Sequence, residues 1–218
     1  MKHLQRDLDH LKKEILIVGS LVEQAMEKVE RVLTHRDAAL SQEVVAGDKE
    51  IDRREIEVEE SCLKILALHQ PVAADLRFII TVLKVNNDLE RMGDLTKNTA
   101  KRAAGLAEGP MLACAPDLYK MAGGARQMLS MCLDALVDTD AVLARKVLKM
   151  DDTIDEANRD MFVKAKKAIR DNVEDVERAI LAISISRNME RIGDLATNIA
   201  EDVIFMVEGE VVRHPSLF

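Results

Sequence analysis

Apolar residues recur near the start of the chain at Leu8, Leu11, Ile15, Val18, Val22, Ala25, Val29 and Val32, in alternating steps of three and four. That spacing keeps one face apolar over about seven turns of helix. "THRD" at 34–37 interrupts it and opens a second helix near Asp37, which runs to His69. There Gln70 precedes Pro71, and a residue before proline is pushed out of the helical region. A third helix is predicted from about Val72 to Gly105, where "GLAEGP" gathers two glycines and a proline. Leu118, Ala122, Ala125, Leu129, Cys132 and Leu136 then set a fourth stripe, and "VDTD" turns the chain at 137–140. A fifth helix runs to about Arg170, "DNVED" turns at 171–175, and a sixth helix runs to about Val207. No segment reads as a strand. The pattern predicts an all-α protein of six long helices in two tandem, pseudo-symmetric three-helix bundles, 1–106 and 115–208. A linker at 107–114 joins them, a tail at 209–218 follows, and the short connections make neighbouring helices antiparallel.

The two halves also repeat each other in sequence. "ERMGDLTKN" at 90–98 and "ERIGDLATN" at 190–198 agree at six of nine positions, which marks an internal duplication. At 100° per residue, Glu90 and Asp94 share a stripe with Leu76, Ile80, Leu83 and Asn87. Glu190 and Asp194 share one with Val176, Ile180 and Ile183. Charge on such a stripe is costly unless it is paired or holds a cation. Arg91 and Arg191 point about 100° away and are not obvious partners.

The turns fix what faces these acids, because antiparallel helices rise equally from a shared turn. Measured from residue 71, Asp52 lies level with Glu90 and Asp48 with Asp94. Measured from 172.5, Asp155 lies level with Glu190 and Asp151 with Asp194. Each bundle then sets Asp-x-x-x-Asp against Glu-x-x-x-Asp, with no lysine or arginine expected on those faces. The candidate metal ligands are Asp48, Asp52, Glu90 and Asp94 in the first half, and Asp151, Asp155, Glu190 and Asp194 in the second. One acidic pair alone would read as a solvated face; two facing pairs, duplicated, favour a site. All-oxygen ligation suits hard ions, and the candidates are Fe, Mn, Mg, Zn and Ca.

Glu55, level with Asn87, is a further candidate ligand in the first half. Its counterpart is Asn158, facing Arg187, so the two sites need not be equivalent. Asn98 and Asn198, one turn beyond each pair, are candidate donors to the ligands, with plain surface amides as the alternative. Gly93 and Gly193 fall inside helices, where each costs about 1 kcal/mol relative to Ala. They are read as leaving room for metal, water or an adjacent helix; a helix C-cap is the alternative.

Bulk properties narrow the function classes. Lys and Arg number 31 against 39 Asp and Glu, giving −8, without basic runs or aromatic platforms, so nucleic acid is not the expected partner. The polar start "MKHLQRDLDH" is no secretory leader. The longest mostly apolar run, 179–185, is too short to span a bilayer. Three cysteines, Cys62, Cys114 and Cys132, without metal spacing suit a reduced, cytoplasmic protein. His3, His10, His35, His69 and His214 lie near helix ends or in tails, not at the Glu-x-x-His offsets of di-iron bundles. No P-loop, nucleophile elbow or dinucleotide fingerprint is present. The expectation is not an enzyme; a metal-dependent carboxylate-bundle enzyme or a purely structural scaffold are the alternatives. Val82, Val85 and Leu89 form a second stripe suited to bundle packing or to the seam of an expected homodimer.

The motif words "DKEID" (48–52), "ERMGD" (90–94), "DDTID" (151–155) and "ERIGD" (190–194), with the block "LHQPVAADLRFIITVLKVNNDLERMGD" (68–94), resemble the PhoU family. The resemblance runs from about Leu4 to Val207. It implies a bacterial phosphate-transport accessory protein and negative regulator of the phosphate regulon. It implies multinuclear metal, often iron, on these acids. The implied partners are the ATPase subunit of a phosphate ABC transporter and a sensor histidine kinase. The implied location is cytoplasmic, peripheral at the inner membrane through those partners. Asn158 and Arg187 depart from their first-half counterparts and leave the second ligand set open.

Overall fold

The structure is a computed structural model describing residues 2–210 and 212. Among these residues six α-helices follow one another: α1 (Lys2–His35), α2 (Ala38–His69), α3 (Ala73–Ala107), α4 (Ala115–Asp138), α5 (Ala141–Asp171) and α6 (Val176–Glu208). A 3-10 turn at Val173–Asp175 precedes α6. Of the tail expected at 209–218, residues 211 and 213–218 lie outside the described residues.

The helix ends follow from local chemistry. The Asp37 carboxylate accepts from Ala39 N at the start of α2, and Asp140 accepts from Val142 N and Leu143 N at the start of α5. These satisfy amides that have no partner within the helix. Gln70, in the left-handed region at φ 46°, closes α2 by donating its N–H to Leu66 O, and Pro71 follows.

The predicted apolar stripes form the core. Leu11, Ile15, Val18 and Val22 of α1 and Leu118, Ala125, Leu129 and Cys132 of α4 are fully buried. Val82, Val85 and Leu89 are each 0% exposed, so they serve packing and provide no dimer seam.

The halves are not independent bundles set side by side. α3 packs against α1, α2 and α6, and α6 packs against α3, α4 and α5; α1 also meets α4. One continuous hydrophobic cluster draws residues from all six helices. Polar bonds cross the junction as well: Asn188 Nδ2 donates to Thr99 Oγ1 at 3.0 Å, and Lys84 Nζ to Asp202 Oδ1 at 3.1 Å.

This central placement corrects the expected inner stripe of α3. Its buried floor is Ile79, Val82, Leu89 and Met92, whereas Leu76 is 39% exposed and Asn87 is exposed. A helix with three neighbours buries most of its circumference, so the acidic stripe becomes the margin of the buried face rather than its centre. Glu90 and Asp94 are accordingly half-buried. In α6, Ile180 is likewise exposed and Glu190 half-buried, while Asp194 is exposed.

Candidate metal centre

The α5–α6 hairpin brings Asp151, Asp155 and Asp194 together: one oxygen from each lies within 4.8 Å of the other two. Among the described residues this is the one acidic trio that closes so far. Asp151 and Asp155 are one turn apart on α5, and Asp194 faces them from α6. Asp151 Oδ1 is buried without a hydrogen-bond partner. A Cβ on Gly193 would lie 3.0 Å from that oxygen, so the glycine gives the Asp151 carboxylate its place against α6. Glu190, one turn before Asp194, shares the same field.

Burial pushes the Asp151 carboxyl up to about 6, and the charges of Asp155, Asp194, Asp152 and Glu190 add to the shift. Burial also raises Glu190, helped by Asp194 and Asp155 and opposed by Arg187 and Arg191. Asp194 is raised by burial and by Asp155, against Arg191. Asp155 has only a long contact to the exposed Arg159, at 3.8 Å, and such surface pairs hold little. Carboxylates crowded with only exposed arginines nearby, one with an orphaned oxygen, suit a hard cation with oxygen ligands.

The first half has the same register and a different solution. Asp48 is 6% exposed. Lys97 Nζ sits 2.5 Å from Asp48 Oδ2 and 2.5 Å from Asp94 Oδ1. The expectation that no cation serves these faces is therefore wrong for this half. Lys97 follows Asp94 by three residues on one side of α3, and its long stem carries the ammonium across to α2. The two carboxylates in turn push the Lys97 ammonium up. The remaining acids stay crowded. Burial, then Asp94, Asp52, Glu55 and Asp48, raise Glu90. Burial, Asp48 and Asp94 raise the exposed Asp52, with Lys97 opposing. In the second half Thr197 holds the place of Lys97, and its hydroxyl donates to Asp194 O at 2.7 Å. Gly93 admits Ile51 of α2, whose Cδ1 would lie 3.2 Å from an added Cβ.

Glu55 is not faced by Asn87. Asn86 is the buried amide here, and its Nδ2 donates to Glu55 O at 2.9 Å and to Oε1 at 3.4 Å. Glu55 is raised by burial, then by Glu59 and Asp52, which ties it to the first cluster. In the second half Ser186, not Arg187, meets Asn158, donating to Oδ1 at 2.7 Å; Arg187 lies over the Phe162 ring. Both misplacements are by one residue, the offset between the acidic margin and the buried floor. Neither the Asn98 nor the Asn198 side chain donates to a described carboxylate. Both line a groove of about 330 Å³ between α3 and α6 with Arg91, Asp94, Arg191 and Asp194. Lys97, Asn86 and Ser186 are the polar residues that sequence reasoning missed. The lysine three places after Asp94 was the available signal.

The raised carboxyls carry a pH dependence. Unfolded, Asp151 ionises near 3.8; folded, near 6. Between those values the folded protein holds a proton that the unfolded chain has released, so stability falls as pH rises through the window. Acidifying chelator-treated protein from pH 7 to pH 5 is therefore expected to stabilise it by about 1 kcal/mol, after solvent screening of a half-buried group. Thermal melts at the two pH values check this, and a lower melting temperature at pH 5 contradicts it.

The sequence model of a family described as "PhoU domain" matches twice, at residues 15–103 and 118–203. The chain is 35% identical over 211 residues to the phosphate-specific transport system accessory protein PhoU homolog of Aquifex aeolicus (strain VF5), covering 97% of this chain and 96% of that protein. It is 34% identical to the protein of the same name from Deinococcus radiodurans, covering 94% and 97%. The crystal structure of PhoU from Pseudomonas aeruginosa superposes with TM-score 0.91 at 33% identity, covering 94% of this chain and 99% of that one. The phosphate transport system regulatory protein PhoU from Streptococcus pneumoniae superposes with TM-score 0.85 at 26% identity, covering 96% and 99%. Among the described residues no helix is long and apolar enough to cross a membrane.

Proposed function

The chain belongs to the PhoU family, and from that premise we propose that it is a non-enzymatic accessory regulator of phosphate uptake which holds hard metal ions on its paired carboxylates. It couples the ATPase subunit of a phosphate ABC transporter to a sensor histidine kinase, and keeps phosphate-starvation genes off while phosphate is plentiful. It works in the cytoplasm, at the inner membrane through those partners, and as a homodimer. The observation that carries the metal reading is the Asp151, Asp155 and Asp194 trio with its orphaned Asp151 oxygen. Asp151, Asp155, Asp194 and Glu190 would hold the ion in the second half, and Asp48, Asp52, Glu90 and Asp94 in the first, with Glu55 at its edge. Iron, manganese, magnesium, zinc and calcium are the candidate ions. The ion would supply charge that ties each hairpin together, with no bond-making chemistry assigned to it. The support for a regulator over an enzyme is the name that relatives carry, accessory protein, and acidic clusters made of carboxylates without histidine.

Deleting the gene is expected to switch on phosphate-starvation genes in phosphate-rich medium. Reporter expression unchanged by the deletion would sink the regulatory reading. Phosphatase turnover by metal-loaded protein would sink the non-enzymatic part.

A further inference from the structure

α3 and α6 correspond by a shift of one hundred positions, so each surface between them occurs twice with different side chains. One of these grooves, open to solvent, spans about 440 Å³ and is lined by Arg102 of α3 and by Ser184, Arg187, Asn188, Glu190 and Arg191 of α6. The equivalent places in the other copy are held by Asp202, Lys84, Asn87, Asp88, Glu90 and Arg91. That other copy neutralises itself: Lys84 bonds Asp202 at 3.1 Å and lies over the Phe205 ring, and Arg91 reaches Asp88 at 3.7 Å.

The arginine-lined copy has no such balance. Asp202 is replaced by Arg102, Asp88 by Asn188 and Asn87 by Arg187. Among the lining residues three guanidiniums stand with one carboxylate, where the equivalent places of the other copy hold two cations and three carboxylates, and Arg191 alone of the three also lies in the field of Asp194. None of the three is in a salt bridge with a described carboxylate. Arg102 donates to Asn98 O at 3.0 Å, and Arg187 lies over Phe162. Arg187 and Arg191 are one turn apart on α6, a like-charge spacing that weakens a helix. Each guanidinium carries five N–H donors, and most of theirs are unspent. Asn188 is buried and commits one N–H to Thr99, which leaves a second amide donor at the groove.

We propose that this groove binds a phosphate group. The groove takes its donors from two helices, Arg102 from α3 and Arg187, Asn188 and Arg191 from α6; a tetrahedral anion has acceptors on every side, and arginine is the side chain suited to phosphate by charge and fork geometry. A carboxylate ligand, planar with two oxygens, would leave the third guanidinium without a partner. Glu190 belongs both to this groove and to the second acidic cluster, so an anion bound here lies beside that cluster. The inference deepens the reading of the protein as a phosphate regulator by naming its ligand, and it does not use the metal.

The test is calorimetric titration of the full chain after exhaustive chelation, with sodium phosphate in one arm and ATP in the other. Saturable binding with a Kd below about 1 mM is expected, weakened at least tenfold in Arg102→Asp and in Arg187→Asn. Each variant installs the residue that the duplicate half carries at the equivalent position, and unchanged melting and circular dichroism verify the fold. Binding of orthophosphate assigns free phosphate as the source; binding of ATP alone assigns a nucleotide phosphate. Absence of saturable binding in both arms, or variants that bind like the parent, overturns the proposal. Since metal is removed throughout, failure of the metal reading leaves this result standing.

Discussion

Replacing Asp151 and Asp194 together by asparagine is expected to strip the second cluster of metal, lowering its affinity at least about 100-fold while leaving helix content unchanged. Changing a residue that only supports a ligand already costs about 10- to 100-fold, and this variant removes two ligand charges from the trio that closes within 4.8 Å. Asparagine keeps the shape of aspartate, so Asp151→Asn still fills the space beside Gly193. Without metal the double variant is expected to melt higher than the parent, because burial and like charges now hold the Asp151 carboxyl at about 6 and raise Asp194. Loss of metal together with gain of metal-free stability separates a site from a structural role, which would lower stability in both conditions. Elemental analysis of purified protein, calorimetric metal titration and melts in chelator read the three quantities. Unchanged metal content in the variant would remove these residues from any site.

Much of this arrangement could be read from spacing. Equal distance from a turn pairs Asp48 with Asp94 and Asp151 with Asp194, and the structure sets those residues against each other across each hairpin. Distance along a helix is fixed at 1.5 Å per residue, so register survives ignorance of everything else. The rotation of the helix did not survive in the same way. Hydrophobic residues flank the acids at helical spacing, which points them at the centre of the buried face. In the structure α3 and α6 each have three neighbouring helices, and the apolar stripe through Leu76 and Ile80 is only the margin. A wide buried face has no single direction that a pattern can reveal, and so Asn86 and Ser186 were missed in favour of Asn87 and Arg187. Lys97 was missed for another reason: its ammonium acts several bonds from its Cα, and a helical wheel places only the Cα.

Exchanging Lys97 and Thr197 is the second large effect expected. Lys97 is the cation of the first cluster, bridging Asp48 and Asp94, and Thr197 is its neutral counterpart in the second. Lys97→Thr installs the side chain that the duplicate already uses at this place, so its backbone and size are tolerated. What it removes is charge beside the buried Asp48, with Asp52 and Asp94 near. Removing one partner of a fully buried ion pair costs about 3–5 kcal/mol. Here the Asp94 side chain is 50% exposed, so the expected loss in chelator is smaller, about 2 kcal/mol, or a melting temperature lower by about 4–8 °C. Saturating metal is expected to restore that loss, with tighter binding at the first cluster because the ion no longer displaces an ammonium. Thr197→Lys is expected to behave oppositely: it brings an ammonium to Asp194 and Asp151, raises stability in chelator and weakens metal at the second cluster. Melts of both single variants with chelator and with saturating metal read these changes. If Lys97→Thr melts like the parent in both conditions, the lysine is a solvated surface contact. The inequivalence of the two clusters would then have to lie in Glu55 and Asn158 instead.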